Sequence, residues 1–175
     1  GMVVLGYPDT VSVTMDEMIH HVKAVSRATE RALVVGDMPF GSYNVSVEKA
    51  VENANRMMKE GRADAVKLEG GKTMAPVAAA VVRSGTPVQG HIGLTPQTAS
   101  ALGGFKVQGK SAAAARALID DAKALEAAGC FSLVLEAIPA PIARMVTEAV
   151  EIPTIGIGAG IQCDGQVLVT HDMVG

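Results

Sequence analysis

The sequence predicts an α/β fold built on a parallel sheet, and two observations carry this prediction. Helical segments alternate along the chain with short apolar strands, which is typical of repeated βα units. Most of the strands are continuous runs of Val, Ile and Leu, as in sheets that are covered on both faces. With 175 residues, 49% of them hydrophobic, the chain is long enough to form one domain with its own core. We therefore expect a single α/β domain over residues 1–175.

Capping signals predict where the helices begin and end. Thr14 and Glu17 have the spacing of a capping box for a helix that reaches about Glu30. Three further residues suit the N-cap or the first turn of a helix, namely Ser46, Ser111 and Pro141. Three glycines each follow a helical run and precede a strand, namely Gly61, Gly85 and Gly129. We expect each glycine to end its helix in the left-handed conformation.

Six strands are expected between the helices, at residues 32–36, 65–69, 87–92, 132–136, 154–158 and 167–170. A closed (β/α)8 barrel of the TIM type needs two more. The first dozen residues contain no strand–helix unit, and the last strand has no helix after it. We therefore expect a TIM-type α/β barrel that lacks its first two strands and its last helix. The Gly-rich loop at residues 94–110 is the best candidate for a mobile lid.

Composition and charge argue against several classes of partner. The chain has 15 Lys and Arg against 18 Asp and Glu, and only two Tyr, three Phe and no Trp. It therefore offers no basic surface for a nucleic acid and few aromatic rings on which bases could stack. No apolar run approaches the roughly 20 residues that span a bilayer, and no leader-like segment stands at the start. We expect a cytoplasmic protein that acts on a small molecule, without nucleic-acid or membrane partners.

Charged residues end four consecutive predicted strands, where apolar residues would be usual. They are Asp37 on the first strand, Lys67 and Glu69 on the second, His91 on the third and Glu136 on the fourth. The carboxyl ends of parallel strands meet on one face of an α/β fold, and catalytic residues gather there. A single charge at a strand end is as often a helix cap or part of a salt bridge. Four converging strand ends favour an active site.

The residue types at these positions predict particular roles. Lys67 and Glu69 are two apart on one strand, so both side chains point to the same face. The carboxylates of Asp37 and Glu69 are hard oxygen ligands of the kind that Mg²⁺ takes. Lys67 could neutralise an acidic substrate, His91 could donate to a developing oxyanion, and Glu136 could act as a base.

Five sequence blocks resemble the signatures of the ketopantoate hydroxymethyltransferase family. They are Gly36-Asp37-Met38-Pro39-Phe40, residues 66–71 (VKLEGG), residues 90–97 (GHIGLTPQ), residues 104–109 (GFKVQG) and Leu135-Glu136. Their order and spacing match the family as well. The likeness extends along the chain and includes residues 156–160 and 171–172 near its end.

The resemblance implies a transferase of pantothenate biosynthesis. Such an enzyme moves a hydroxymethyl group from 5,10-methylenetetrahydrofolate to 3-methyl-2-oxobutanoate through a Mg²⁺-stabilised enolate, giving 2-dehydropantoate. By this resemblance Asp37 and Glu69 belong to the Mg²⁺ site, Asp37, Lys67 and His91 bind or line the site of the oxo acid, and Glu136 accepts the proton. The resemblance also implies a homo-oligomer, a decamer in many members.

The family pattern departs from this sequence at both ends. It begins with a strand and a Gly-Asp-Ser block, whose Asp is a metal ligand, and Gly1 aligns just after that block. The helix expected after Gly175 is also absent from the sequence. Two alternatives therefore stay open beside the transferase. One is a Mg²⁺-dependent lyase or aldolase acting on pyruvate-like enolates, and the other is a non-catalytic truncated homologue.

Overall fold

The computed structural model describes residues 1–100, 104 and 106–175. Six strands of these residues form one sheet: β1 (Val35–Asp37), β2 (Ala65–Glu69), β3 (Val88–Gly93), β4 (Ser132–Glu136), β5 (Thr154–Ile157) and β6 (Gly165–Gln166). The α-helices are α1 (Met2–Leu5), α2 (Met15–Ala28), α3 (Val47–Arg56), α4 (Ala75–Arg83), α5 (Ala112–Ala127), α6 (Ala140–Thr147) and α7 (Thr170–Val174). A π-helix (Met57–Gly61) continues α3, and two 3₁₀ turns follow β2 (Lys72–Met74) and β3 (Pro96–Thr98).

The sheet has the strand order of a barrel wall. All five strand pairings are parallel, and the strands lie side by side in chain order from β1 to β6. A doubly wound sheet would instead reverse its strand order at an interior switch point. The predicted α/β barrel architecture is confirmed, with six of the eight strands that a closed barrel requires.

The core lies on both sides of this sheet, as the continuous apolar strands predicted. The central strand β4 buries Leu133, Val134 and Leu135, so consecutive side chains on opposite faces are all covered. Several helices approach the sheet through fully buried alanines, namely Ala50, Ala54, Ala78, Ala122 and Ala143. Among the helices that the structure describes, none combines the length and the apolar composition needed to cross a bilayer.

Most of the capping predictions are confirmed. Thr14 and Glu17 form a complete capping box at the start of α2, although the helix ends at Ala28, two residues before the expected end. The hydroxyls of Ser46 and Ser111 accept backbone N–H groups at the starts of α3 and α5. These contacts satisfy N–H groups that have no partner within the helix.

The prediction for Gly61 is wrong, since the left-handed residue is its neighbour Arg62, with a φ of 60°. The π-helix adds one residue to the last turn and shifts the helix end by one position. Gly61 instead allows a close approach to α2, because a Cβ there would lie 3.1 Å from Cγ1 of Val22. Gly85 and Gly129 do have positive φ values, as predicted.

Replacing Arg62 with glycine is expected to stabilise the fold by about 1 kcal/mol, because the left-handed conformation costs residues with a Cβ about that much. The Arg62 carbonyl, which accepts the Ser26 hydroxyl, is kept in the variant. Urea unfolding followed by circular dichroism measures the change. The matched control is Arg116→Gly on the exposed face of α5, which we expect to lower stability by about 1 kcal/mol. A loss of stability in Arg62→Gly would contradict the expectation.

The first and last predicted strands are placed differently in the structure. At residues 32–34 the Val34 N–H donates to the side chain of Asp64, and pairing with β2 begins only at Val35. At the other end β6 pairs with β5 alone and stops at Gln166. Its apolar continuation at residues 167–169 is exposed, and residues 170–174 form α7.

Candidate active site

The carboxyl ends of β1 to β4 bring the five predicted site residues together. In the strand register Asp37 is opposite Lys67, and Glu69 is opposite His91. Glu136 is opposite Gly93 on β3, two residues after His91 and therefore on the same face. The spacing of charges at strand ends thus predicted a real cluster.

Lys67 is the centre of this cluster. Its ammonium lies 2.9 Å from Oδ1 of Asp37, 3.2 Å from Nδ1 of His91 and 3.9 Å from Oε1 of Glu69. Burial disfavours the charged ammonium, but the nearby carboxylates of Asp37 and Glu69 outweigh this effect and raise the pKa of Lys67. Lys67 therefore carries a fixed positive charge inside a largely enclosed site.

His91 links Lys67 to Glu136. Its Nε2 lies 3.2 Å from Oε2 of Glu136, and the residue is only 2% exposed. Burial, reinforced by the charge of Lys67, lowers the pKa of His91, so the ring is neutral. An ammonium group can only donate, so Nδ1 accepts from Lys67 and the ring hydrogen sits on Nε2. This N–H faces the Glu136 carboxylate.

Glu69 is the most deeply buried carboxyl group of the cluster. Burial raises its pKa to about 7, although the charge of Lys67 acts in the opposite direction. Its Oε2 accepts the backbone N–H of Gln97 at 3.0 Å, while its Oε1 faces Lys67 and His91. One oxygen of the carboxylate is therefore held by the backbone, and the other is presented to the site.

Glu136 is placed by a close approach of two strand ends. The N–H of Leu94 donates to the Glu136 carbonyl at 2.8 Å. Gly93 has a φ of 95°, and a Cβ at this position would overlap that same carbonyl. Only glycine allows this contact, so the end of β3 fixes the backbone that carries the Glu136 side chain.

Asp37 and Glu69 have the chemistry and spacing to share a hydrated cation. Oδ1 of Asp37 is buried and forms an ion pair with the ammonium of Lys67 at 2.9 Å. Both carboxylates contact the same ammonium, so their oxygens lie close enough for a cation and its water to bridge. The described residues contain no group of three or more His, Cys, Asp or Glu arranged to hold a metal. The pair could hold Mg²⁺ if water or substrate oxygens supplied most of the ligands of the ion.

Two buried polar residues next to the cluster, Tyr43 and Gln97, were missed by the sequence analysis. Tyr43 is 1% exposed and Gln97 is 7% exposed. Gln97 stands at the end of the block at residues 90–97, and its place there was the only signal in the sequence. Tyr43 lies in a loop without strand or helix periodicity, and nothing in the sequence marked it.

The other candidate features lie apart from the cluster. A Cβ at Gly160 would overlap Ala140, and one at Gly156 would lie 2.9 Å from Sγ of Cys163, so these two glycines allow close packing. His171 and Asp172 are exposed in α7. The lid predicted at residues 94–110 depends on Gly103 and Phe105, which lie outside the described residues.

Comparison with known proteins agrees with the resemblance. A family model described as ketopantoate hydroxymethyltransferase matches residues 1–175. The 3-methyl-2-oxobutanoate hydroxymethyltransferase of Oleidesulfovibrio alaskensis is 65% identical over 174 residues, which cover 99% of this chain and 60% of that protein. The enzyme of the same name from Heliobacterium modesticaldum is 63% identical over 175 residues, which cover 100% of this chain and 63% of that protein.

Solved structures support the fold. A lyase/mutase of provisional assignment from Burkholderia cenocepacia has a TM-score of 0.64 at 19% identity and covers 95% of this chain and 59% of its own. A phosphonopyruvate hydrolase has a TM-score of 0.63 at 11% identity and covers 89% of this chain and 56% of its own. At such low identity these likenesses concern the architecture alone.

The chain spans about 60% of the length of the curated relatives that it matches. Within this part, the family model matches residues 1–175. The chain therefore belongs to the ketopantoate hydroxymethyltransferase family.

Proposed function

We propose that the protein transfers a hydroxymethyl group from 5,10-methylenetetrahydrofolate to 3-methyl-2-oxobutanoate and so forms 2-dehydropantoate. The observation that carries this proposal is the contact of one buried ammonium, that of Lys67, with Asp37, Glu69 and His91 at the carboxyl ends of the strands. The names of the curated relatives support the choice of oxo acid and of the transferred group.

Lys67 and His91 bind the oxo acid in this proposal. The substrate is an anion, and Lys67 is the cation of the cluster, so the ammonium attracts the substrate carboxylate. Asp37, whose Oδ1 lies 2.9 Å from this ammonium, would contact the same substrate. His91 lines the pocket with a neutral ring, and so adds no second cation beside Lys67.

Asp37 and Glu69 would hold Mg²⁺. The bound ion supplies positive charge near the keto oxygen, and this charge makes loss of the C3 proton easier. Oε1 of Glu69 and Oδ1 of Asp37 both contact the ammonium of Lys67, and this shared contact supports their assignment as ligands.

Glu136 accepts the C3 proton. The cluster contains three carboxyl groups. Those of Asp37 and Glu69 lie within ion-pair distance of Lys67, whereas that of Glu136 lies beside His91. Nε2 of His91 lies 3.2 Å from Oε2 of Glu136 without an aligned hydrogen bond, and because this nitrogen already carries the ring hydrogen it cannot take the proton that Glu136 accepts. The substrate carbon then forms a bond to the methylene carbon of the folate, both C–N bonds to that carbon break, and water supplies the hydroxyl group, so that tetrahydrofolate leaves with a hydrogen on each of the two nitrogens.

The test incubates the purified protein with Mg²⁺, 3-methyl-2-oxobutanoate and 5,10-methylenetetrahydrofolate and measures 2-dehydropantoate by mass spectrometry. Folate-dependent product is the expected result. Metal-dependent cleavage of a carbon–carbon bond without folate would instead support a lyase or aldolase. A folded protein that fails to bind the oxo acid with Mg²⁺ in calorimetry would support a non-catalytic homologue.

A further inference from the structure

Tyr43 and Gln97 form a closed ring of hydrogen bonds beside the site, and the proposed mechanism uses neither of them. The Tyr43 hydroxyl donates to Oε1 of Gln97 at 2.8 Å and accepts the N–H of Glu69 at 3.2 Å. The backbone N–H of Gln97 closes the ring by donating to Oε2 of Glu69 at 3.0 Å. Glu69 is therefore hydrogen-bonded at its backbone N–H to Tyr43 and at its carboxylate to Gln97.

Gln97 also ties this ring to the strand that carries Asp37. Its Nε2 donates to the carbonyl of Met38, the residue directly after Asp37, at 2.8 Å. The N–H of Met38 donates in turn to the carbonyl of Lys67 at 3.1 Å. The ends of β1 and β2 and the turn after β3 are thereby joined through one amide side chain.

The orientation of each group in the ring follows from its neighbours. The Tyr43 oxygen accepts from a backbone N–H, so its own hydrogen must point to Gln97. The Gln97 amide then presents its oxygen to Tyr43 and its NH₂ group to the Met38 carbonyl, which can only accept. The side chains are buried, so water cannot easily replace a lost partner. Because only one arrangement of donors and acceptors is consistent, the network can hold the residues that it joins at fixed separations.

We propose that Gln97 and Tyr43 are positioning residues that set the separation of Asp37 and Glu69, and so the affinity of this pair for a divalent cation. The inference rests on the proposed function, because it takes these carboxylates as the Mg²⁺ ligands. The ring holds the Glu69 carboxylate by Oε2 and leaves Oε1 facing Lys67. The Gln97 amide sets the position of the chain beside Asp37.

The experiment compares Gln97→Met, Tyr43→Phe and the double variant with the unaltered protein. Gln97→Met keeps the side-chain length and the backbone bond to Glu69, but it removes both amide contacts. Tyr43→Phe removes one oxygen atom and tests the proposal should Gln97→Met fail to fold. Calorimetric titration with MgCl₂ alone gives the cation affinity, and steady-state kinetics give kcat and the KM for the folate.

We expect each single variant to weaken Mg²⁺ binding and to lower kcat by about tenfold or more, since small misplacements of catalytic groups are costly, while the KM for the folate stays unchanged. The double variant should match a single one, because both changes break the same ring. The control is Thr147→Val at the end of α6, which removes a hydrogen bond of 2.8 Å between the hydroxyls of Thr147 and Thr154 at the amino end of β5, away from the site.

Two results would overturn the proposal. One is Mg²⁺ affinity and kcat within twofold of the unaltered protein in both single variants. The other is an equal loss in Thr147→Val at an equal shift of the urea unfolding midpoint, because the effect would then be one of general stability. The proposed function has a separate test, because it is wrong if the unaltered protein forms no 2-dehydropantoate. In that case the ratio of Mg²⁺ affinities between the variants and the unaltered protein still tests the role of the ring.

Discussion

Replacing Glu136 with glutamine is expected to slow exchange of the C3 hydrogen of 3-methyl-2-oxobutanoate with solvent by about 10²- to 10⁴-fold, the usual contribution of a positioned base. Binding of the oxo acid should persist, because Lys67 and Asp37 are unchanged. Glutamine has the shape of glutamate and can still contact the ring of His91. Nuclear magnetic resonance in D₂O without folate measures the exchange directly, and calorimetry measures the binding.

Glu148→Gln is the matched control for this variant. Glu148 follows α6 and forms an exposed ion pair with Arg144, so its replacement removes the same charge without touching the site. The exchange rate of this control should equal that of the unaltered protein. Normal exchange in Glu136→Gln would assign the base to another group.

The predictable part of the site follows from the geometry of parallel strands. Lys67 and Glu69 had to share a face because side chains alternate along a strand, and the in-register pairing of β2 with β3 then placed Glu69 opposite His91. Charged residues at the ends of apolar runs are visible in a sequence because burial makes them costly. The cluster could therefore be found before any coordinate was known.

The ring of Tyr43 and Gln97 could not be found in this way. Tyr43 contacts Gln97 across 54 residues of sequence and Glu69 across 26, and loops at the ends of three strands supply the partners. No periodicity relates such positions, since the contacts depend on how loops fold over the sheet. The π-helix that makes Arg62 the left-handed residue is likewise a tertiary effect, because the helix end is fitted against Val22.

Replacing Lys67 with methionine should lower the free energy of unfolding by about 2 kcal/mol at about pH 8, because removing one partner of a buried ion pair leaves the other uncompensated, and the pKa of Glu69 is already about 7, so each pH unit above it costs about 1.4 kcal/mol. The figure lies below the usual range of about 3 to 5 kcal/mol because Glu69 can take up a proton, and because the Asp37 side chain is 42% exposed and keeps part of its hydration. Lys67 itself is 16% exposed and Glu69 is 3% exposed, so Glu69 carries most of the penalty. Methionine preserves the length of the lysine stem, and so this variant isolates the charge.

The pH dependence of this loss identifies the group responsible. Burial already raises the pKa of Glu69 to about 7, and removal of the Lys67 charge takes away the main influence that lowers it. A carboxyl group whose folded pKa lies above its unfolded value favours the folded state at low pH, and this advantage is lost as pH rises through the folded pKa. The deficit of Lys67→Met should therefore be large at about pH 8 and small at about pH 5 in urea unfolding.

The double variant Lys67→Met/Glu69→Gln provides the decisive comparison. Neutralising Glu69 removes the uncompensated buried charge, so the double variant should recover most of the stability that the single variant lost, and its deficit should no longer vary with pH. Lys49→Met, which breaks an exposed pair with Glu52, should cost no more than about 1 kcal/mol. If Lys67→Met lost stability equally at both pH values and the double variant recovered nothing, the loss would come from packing of the lysine stem. The ammonium would then not be what balances the carboxylates at the ends of β1 and β2.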